Sequence, residues 1–258
     1  MHIRELFDLS GRTAIVTGGG RGLGEQIATA YAESGANLVL CSRNQAACEK
    51  VAHTLTALGV QTLTMACDVA NQADVSRVVE ATVERFGGID ILVNNSGATW
   101  GAPAADMPLE AWKKVLDVNV TGTFLMSQAV GKVMIAQGTG GKIINIASIA
   151  GVGGVDPRVM DAIGYNTSKG AVITFTKDLA VKWGPYGINV NAIAPGFFPT
   201  KMAKALMERS KDLLLASTPL GRFGSDNDLK GVAVFLAAKA SDYITGTVLA
   251  VDGGSSAM

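Results

Sequence analysis

Tyr165 and Lys169 stand four positions apart where a helical stretch begins, so their side chains share one face about one turn apart. A phenol with an ordinary pKa of about 10 exchanges protons poorly near neutrality. A neighbouring ammonium stabilises the phenolate and lowers that pKa. Read alone, the Tyr-x-x-x-Lys spacing describes equally well an exposed lysine beside a half-buried tyrosine. Ser148 changes the balance. It lies just past an apolar strand-like segment, so its hydroxyl stands at a strand's C-terminal end, where a substrate oxygen can be held for Tyr165 to protonate. His2 and His53 are the only two histidines, and neither lies near a candidate nucleophile, so Ser-His-Asp chemistry is not expected and no metal site is assigned.

The run 13–24, Thr-Ala-Ile-Val-Thr-Gly-Gly-Gly-Arg-Gly-Leu-Gly, passes from an apolar β-branched segment through glycine into a periodic run at 25–31. Strand, glycine turn and helix start together bring backbone N–H groups and a helix N-terminus close to a pyrophosphate. A side chain at Gly18, Gly22 or Gly24 would block the tight turn, the phosphate approach or the helix–strand packing. In such a turn an acidic residue roughly 20 positions on selects NAD, whereas arginine accommodates the 2′-phosphate of NADP. Here that position holds Ser42, Arg43 and Asn44, with no carboxylate before Glu49, and Arg21 adds a cation inside the loop. Two guanidinium forks suit a phosphate, although both would also serve as solvated loop residues. The missing acid decides the expectation: NADP(H).

Positioning these groups requires alternating strands and helices. Apolar segments at 13–17, 37–41, 61–66, 89–93, 142–146, 188–193 and 248–251 read as strands. The stretches 45–58, 72–86, 109–136, 165–183, 200–216 and 226–238 read as helices, the first helix being ended by Gly35. Strands that are apolar throughout and separated by helices indicate a parallel sheet covered on both faces. The expected fold is α/β: residues 1–258 as one Rossmann-type, doubly wound domain of about seven strands. Ligands in such sheets lie beyond the strand C-terminal ends, so the loops after Gly18, Cys41, Asp68, Asn94, Ala147 and Ala194 are the ones to search.

Lys+Arg and Asp+Glu number 22 each, which gives no bulk charge to attract nucleic acid or an anionic membrane. The stretch 1–12 carries charges where a signal peptide needs an apolar run, and no apolar run approaches the roughly 20 residues of a spanning helix. Cys41, Cys48 and Cys67 are odd in number and lack CxxC spacing, so they read as packing residues of a cytoplasmic protein. A hydrophobic share of 48% exceeds what one core needs and suggests surface buried between subunits.

The chain resembles the short-chain dehydrogenase/reductase family over its whole length. The matching elements are the 17–24 glycine run, Asp68-Val69, Asn94-Asn95-Ser96-Gly97, Asn119-Val120, Ser148, Tyr165 with Lys169, Asn191, Pro195-Gly196 with Thr200, and Val251-Asp252-Gly253-Gly254. The resemblance implies that Tyr165 is the general acid/base, that Ser148 positions the carbonyl or alkoxide oxygen, and that Lys169 binds the nicotinamide ribose and tunes Tyr165. It implies that Asn119 holds a water in a proton relay. Gly18, Arg21, Gly22, Leu23, Gly24, Ser42 and Arg43 would bind the cofactor's phosphates and adenosine, Asp68 and Val69 its adenine, and Thr200 its carboxamide. Asn94, Gly97, Pro195 and Gly196 would line it, and Asn191 looks structural. Members of the family are usually tetrameric, through the 109–136 and 165–183 helices and the chain end, so a homotetramer is expected; a dimer stays open.

Two departures stand out. Ser96 replaces the usual alanine, a small-for-small exchange. The 17 positions from Ser148 to Tyr165 exceed the family's common spacing, which places an insertion in the loop 151–163 beside the site. Trp100, Val152, Val155, Met160, Phe197, Phe198, Met202 and Leu206 form a mostly apolar candidate pocket, although Met202 and Leu206 would equally be the core face of a helix. Only Lys201 and Arg158 offer cations there. The expected reaction is therefore NADPH-dependent reduction of a ketone or 3-oxoacyl group with an apolar part. The Trp100 loop resembles gluconate 5-dehydrogenases and 3-oxoacyl-carrier-protein reductases, which makes a sugar acid or polyol the alternative. A non-catalytic dinucleotide sensor would need the glycine loop and arginines but not Ser148, Tyr165 and Lys169 together.

Overall fold

Alternation along the first strand sets the layers of the molecule. The computed structural model describes residues 1–201 and 203–258 (of Ala205, the backbone only), and in it β1 (Thr13–Thr17) is buried along its whole length. Ala14 and Val16 pack with Ile27, Tyr31 and Leu40 on one face, while Ile15 packs with Val39, Leu92 and Val130 on the other. Successive side chains point to opposite faces, so a strand covered on both sides must be apolar at every position. Each such Ile, Leu or Val contributes about 1.5–3 kcal/mol by burial.

β1 is joined by β2 (Asn37–Ser42), β3 (Thr62–Ala66), β4 (Ile91–Asn94), β5 (Gly141–Ile146), β6 (Ile188–Pro195) and β7 (Val248–Val251) in one sheet of order β3-β2-β1-β4-β5-β6-β7. Every neighbouring pair is parallel. This is the expected doubly wound α/β architecture, of Rossmann type. The first core layer contains α2 (Gly22–Glu33), α3 (Gln45–Thr56) and α10 (Lys230–Ala237). The opposite layer contains α4 (Gln72–Phe86), α6 (Gly122–Gln137) and α7 (Ile163–Trp183). Between β1 and β4 the winding changes direction, and the connections there diverge and leave a crevice at the C-terminal edge. No helix among the described residues is long and apolar enough to cross a membrane.

Several boundaries differ from the sequence pattern, each for a tertiary reason. The stretch 109–136 is not one helix: α5 (Leu109–Leu116) and α6 are joined through a π turn, Asp117–Thr121. The strand expected from Ile89 begins at Ile91, because the Ile89 N–H donates to Gln137 Oε1 (2.8 Å) and the Asp90 carboxylate binds Arg12 and the Thr13 N–H. The stretch 200–216 breaks at Ser210 into α8 (Lys204–Arg209) and α9 (Lys211–Ala216). The last helix starts at Lys230 rather than Asp226, since the Asp228 carboxylate takes both the Arg222 fork and the Ser225 N–H in a preceding turn. A short α1 (Ile3–Leu6), absent from the sequence reading, is closed by reciprocal caps between His2 and Glu5.

α6 and α7 approach closely at Gly131, where an added methyl would fall inside the Trp183 ring. Overpacking of this kind costs about 1–3 kcal/mol. Gly131→Ala is accordingly expected to lower the unfolding free energy by that amount, read as a lower urea midpoint at an unchanged slope. An unchanged midpoint would mean that the two helices do not pack through this contact.

Candidate active site

Past Thr17 the chain turns across the C-terminal edge of the sheet. Gly18 (φ +65°) and Gly22 (φ +57°) hold left-handed conformations that a side chain would strain. A Cβ on Gly24 would meet the Gly18 carbonyl and lie 2.5 Å from Asn95 Nδ2, so the first turn of α2 rests directly on the loop. Asn95 fastens this loop to the end of β4. Its Nδ2 donates to Thr17 O (2.8 Å) and Gly18 O (3.2 Å), and its N–H donates to Thr17 Oγ1 (2.9 Å). No side chain caps the N-terminus of α2, so its first N–H groups stay bare.

From this loop a cleft of about 480 Å³ runs along the strand ends. Gly18, Arg21, Gly22 and Leu23 line it beyond β1, Ser42 and Arg43 beyond β2, and Asp68 and Val69 beyond β3. Gly97, Ser148, Tyr165 and Lys169 line it beyond β4 and β5, and Pro195, Gly196, Thr200 and Lys201 beyond β6. Among the described residues neither Arg21 nor Arg43 forms an ion pair. Among the same residues no cluster of His, Cys, Asp or Glu could hold a metal ion.

Three expected residues lie behind the cleft surface. Gly24 is the packing contact just described. Asn94 is buried, its Nδ2 donating to Ser127 Oγ and Asn145 Oδ1 (both 2.9 Å), and Asn145 in turn donates to Thr176 Oγ1 (2.9 Å). From this motif the cleft is lined by Asn95 together with Ser96 and Gly97, and nothing local in the sequence assigns Asn95 a role. Two adjacent asparagines at a strand end point to opposite faces, and the pleat decides which one meets the loop. Asn119 is also buried. Its Oδ1 accepts the Ala98 N–H (2.7 Å), and its Nδ2 donates to Ala98 O (2.9 Å) and Ser168 Oγ (2.8 Å). Asn191 is structural as expected, tying β6 to Ile244 O (2.9 Å) and the Thr247 N–H (3.1 Å).

The reacting end is built by β5 and α7. Lys169 is 5% exposed, and its Nζ donates to Ile146 O at 2.6 Å. The same nitrogen lies 5.6 Å from the Tyr165 ring centroid. Gly97 borders this nitrogen: a Cβ there would lie 3.6 Å from Asn119 Oδ1 and 3.9 Å from Lys169 Nζ. Burial pushes the Lys169 ammonium down from 10.5 to about 8. Burial also raises the Tyr165 phenol above its ordinary 10.0, while a hydrogen bond with the Ser148 hydroxyl opposes that rise. The net direction is opposite to the expectation from the Tyr–Lys spacing. The ammonium sits over the face of the ring and is directed to a backbone carbonyl, so desolvation of the phenol wins.

With its longer following loop, Ser148 still lines the cleft and hydrogen-bonds with Tyr165. Ile149–Gly151 form a tight turn, the Ser148 Oγ accepts the Ala150 N–H (3.2 Å), and Gly151 lies against the α7 backbone at Lys169 and Gly170. A bridge between Ala102 and Ala162, with the Ala102 N–H on Asp161 O (2.9 Å), ties the Trp100 loop to the inserted one. The apolar candidates do not converge on the cleft. Trp100 and Val152 are exposed, and Val155, Met160 and Leu206 are half-buried. Phe197 and Phe198 line a second cavity of about 440 Å³ beside β7, with Phe198 bordering both. Met202 lies outside the described residues. Arg158 is exposed, with its fork on Asp156.

Fold and site together define the class of doubly wound, dinucleotide-binding oxidoreductases. Residues 18–256 match the family model described as "Enoyl-(Acyl carrier protein) reductase". The chain belongs to the short-chain dehydrogenase/reductase family, whose members act on CH–OH groups and the corresponding carbonyls. It is 41% identical over 256 residues to the 2-dehydro-3-deoxy-D-gluconate 5-dehydrogenase of Dickeya dadantii, covering 98% of both chains. It is 36% identical to the rhamnolipids biosynthesis 3-oxoacyl-[acyl-carrier-protein] reductase of Pseudomonas aeruginosa, covering 96% of this chain and 97% of that one. Among solved structures, a gluconate 5-dehydrogenase from Burkholderia cenocepacia in complex with NADP and tartrate superposes with a TM-score of 0.94, at 38% identity and full coverage of both chains.

The Lys169 shift has a measurable sign. Between about 8 and 10.5 the folded chain has released this proton while the unfolded chain still carries it. Stability therefore rises with pH in that window, by about 1 kcal/mol per pH unit from this group. Denaturant titrations of the cofactor-free protein are expected to show that rise relative to Lys169→Met. Parallel stability–pH curves for the two proteins would refute the buried, shifted ammonium.

Proposed function

We propose that this protein is an NADP(H)-dependent dehydrogenase/reductase that interconverts a secondary alcohol of a sugar acid or polyol with its ketone. The observation that carries this reading is the meeting of Ser148, Tyr165 and Lys169 in the cleft that Arg21 and Arg43 also line. The bare N–H groups at the start of α2 suit a pyrophosphate, and two guanidinium groups free of carboxylates suit the 2′-phosphate. The left-handed glycines fit the same group, since side chains there would fill its approach. When bound, NADP(H) supplies or accepts the hydride.

The chain's own residues then manage the proton. In the reducing direction the Ser148 O–H donates to the carbonyl oxygen and fixes it beside the phenol. Tyr165 Oη gives up its proton to that oxygen as the carbonyl becomes an alcohol, and in oxidation it takes the proton back. A phenol raised by burial is a reluctant acid, so the positive charges near it set its working pKa: the Lys169 ammonium and that of the oxidised nicotinamide. Lys169, which lines the cleft, would also hold the nicotinamide ribose when the cofactor is bound.

The relatives' names support a polyhydroxylated acid, and Lys201 on the cleft wall suits its carboxylate. A 3-oxoacyl thioester is the second reading. It is favoured by the Pseudomonas relative and by the exposed apolar Trp100 and Val152 at the rim.

Tyr165→Phe is expected to lower kcat by about 10²–10⁴-fold while leaving NADPH binding intact. Turnover by that variant at the parental rate would overturn the acid/base assignment. Arg43→Ala is expected to raise KM for NADPH roughly 10- to 100-fold with little effect on NADH. A panel of gluconate-type acids, neutral polyols and 3-oxoacyl thioesters, run with both cofactors, identifies the substrate. Lys201→Ala is expected to raise KM for the acids about tenfold and not for the polyols. Activity confined to the thioesters would replace the first reading with the second.

A further inference from the structure

Ser168 is completely buried one residue before Lys169, and its hydroxyl has two assigned partners. Its proton goes to Tyr165 O, three residues earlier in α7, at 2.7 Å. Its lone pair is therefore what receives the Asn119 Nδ2 proton, at 2.8 Å. This order leaves the Asn119 amide a single orientation, with Nδ2 toward Ser168 and Oδ1 toward the Ala98 N–H (2.7 Å). The second Nδ2 proton is taken by Ala98 O at 2.9 Å. All hydrogen-bonding protons of both side chains are thus directed, and the chain Ala98–Asn119–Ser168–Tyr165 joins the loop after β4, the π turn and the first turn of α7.

We infer that Ser168 is a positioning residue: it locks the Asn119 amide and the backbone of Tyr165 into one frame, and so sets the distance between the phenol and the loop that borders Lys169. The π turn supports this. An i→i+5 turn inside a helix is unfavourable by itself and persists where tertiary bonds hold it, and here those bonds come from Asn119. Without the Ser168 oxygen, one Asn119 proton is left buried and unpaired, and the amide is free to turn away from Ala98. Asn119 and Gly97 then no longer define the wall beside Lys169. Ser168 is fully buried behind the cleft surface, so its effect is transmitted through the groups it holds.

The inference rests on Tyr165 being the acid/base, and its test separates the two. Ser168→Ala is expected to lower kcat about tenfold for the fastest substrate in the panel above, with KM for the cofactor changed less than twofold. The pKa seen in its kcat–pH profile is expected to move, and Ser168→Thr, which keeps the hydroxyl, to recover most of the rate. A general loss of packing would lower the melting temperature without moving the profile. Independently of turnover, amide exchange at Ala98 is expected to speed up at least tenfold in Ser168→Ala, because its acceptor is no longer held. Should that variant not fold, Ser168→Cys, similar in size but a weak donor, is expected to show the same changes in smaller measure. Unaltered Ala98 exchange together with an unaltered profile in a folded variant would overturn the role of Ser168. A Tyr165→Phe variant with full activity would instead overturn the acid/base reading.

Discussion

A lysine ammonium kept almost entirely out of water is the constraint around which the reacting half of this molecule is arranged. Removing such a charge from solvent costs several kcal/mol unless acceptors are in place. Here the end of β5 presents the Ile146 carbonyl, the Tyr165 ring lies beneath the charge, and Gly97 leaves the space beside it open. The cost is not fully offset, as the drop of the ammonium to about 8 records. An ammonium whose pKa lies this close to neutral pH is sensitive to whatever anion or cation enters the cleft next to it.

The phenol tells the same story with the opposite sign. Burial disfavours its ionised form just as it disfavours the charged lysine. The two groups together are therefore poised rather than activated, and only the Ser148 hydroxyl already favours the phenolate. Under the proposed acid/base role, a bound partner that completes this charge balance would couple chemistry to binding.

Rigidity comes from beneath. Asn94, Ser127, Asn145 and Thr176 form a buried polar chain from β4 through β5 to α7, and Thr176 closes it on Val172 O (2.8 Å). Two of the linked positions, Asn94 and Asn145, stand directly before the cleft residues Asn95 and Ile146. Asn94 Oδ1 has no partner among the described residues, but each bond that is made fixes geometry in a low-dielectric interior, where losing it leaves a further group unpaired. On the substrate side the restraint is lighter. The Trp100 loop and the inserted loop are stitched by backbone at Ala102 and Ala162, while their side chains face outward, so that rim is free to vary with substrate.

The sequence by itself determined the covered parallel sheet and picked out the candidate reacting groups. An apolar, β-branched segment such as 13–17 can be buried on both faces only in a covered parallel sheet, and the glycine run between β1 and α2 is local in sequence. Tyr165 and Lys169 are local too, four residues apart on one helix. What lay outside the sequence were effects of groups distant in the chain. The π turn that breaks the 109–136 stretch is held by Asn119 reaching Ala98, and the exchange of roles between Asn94 and Asn95 follows from the pleat of β4. The direction of the Tyr165 shift could not be read from a spacing, because it depends on how much water the surrounding fold removes. Periodicity reports which faces are apolar; only the tertiary structure decides which polar atoms meet and how far they are from solvent.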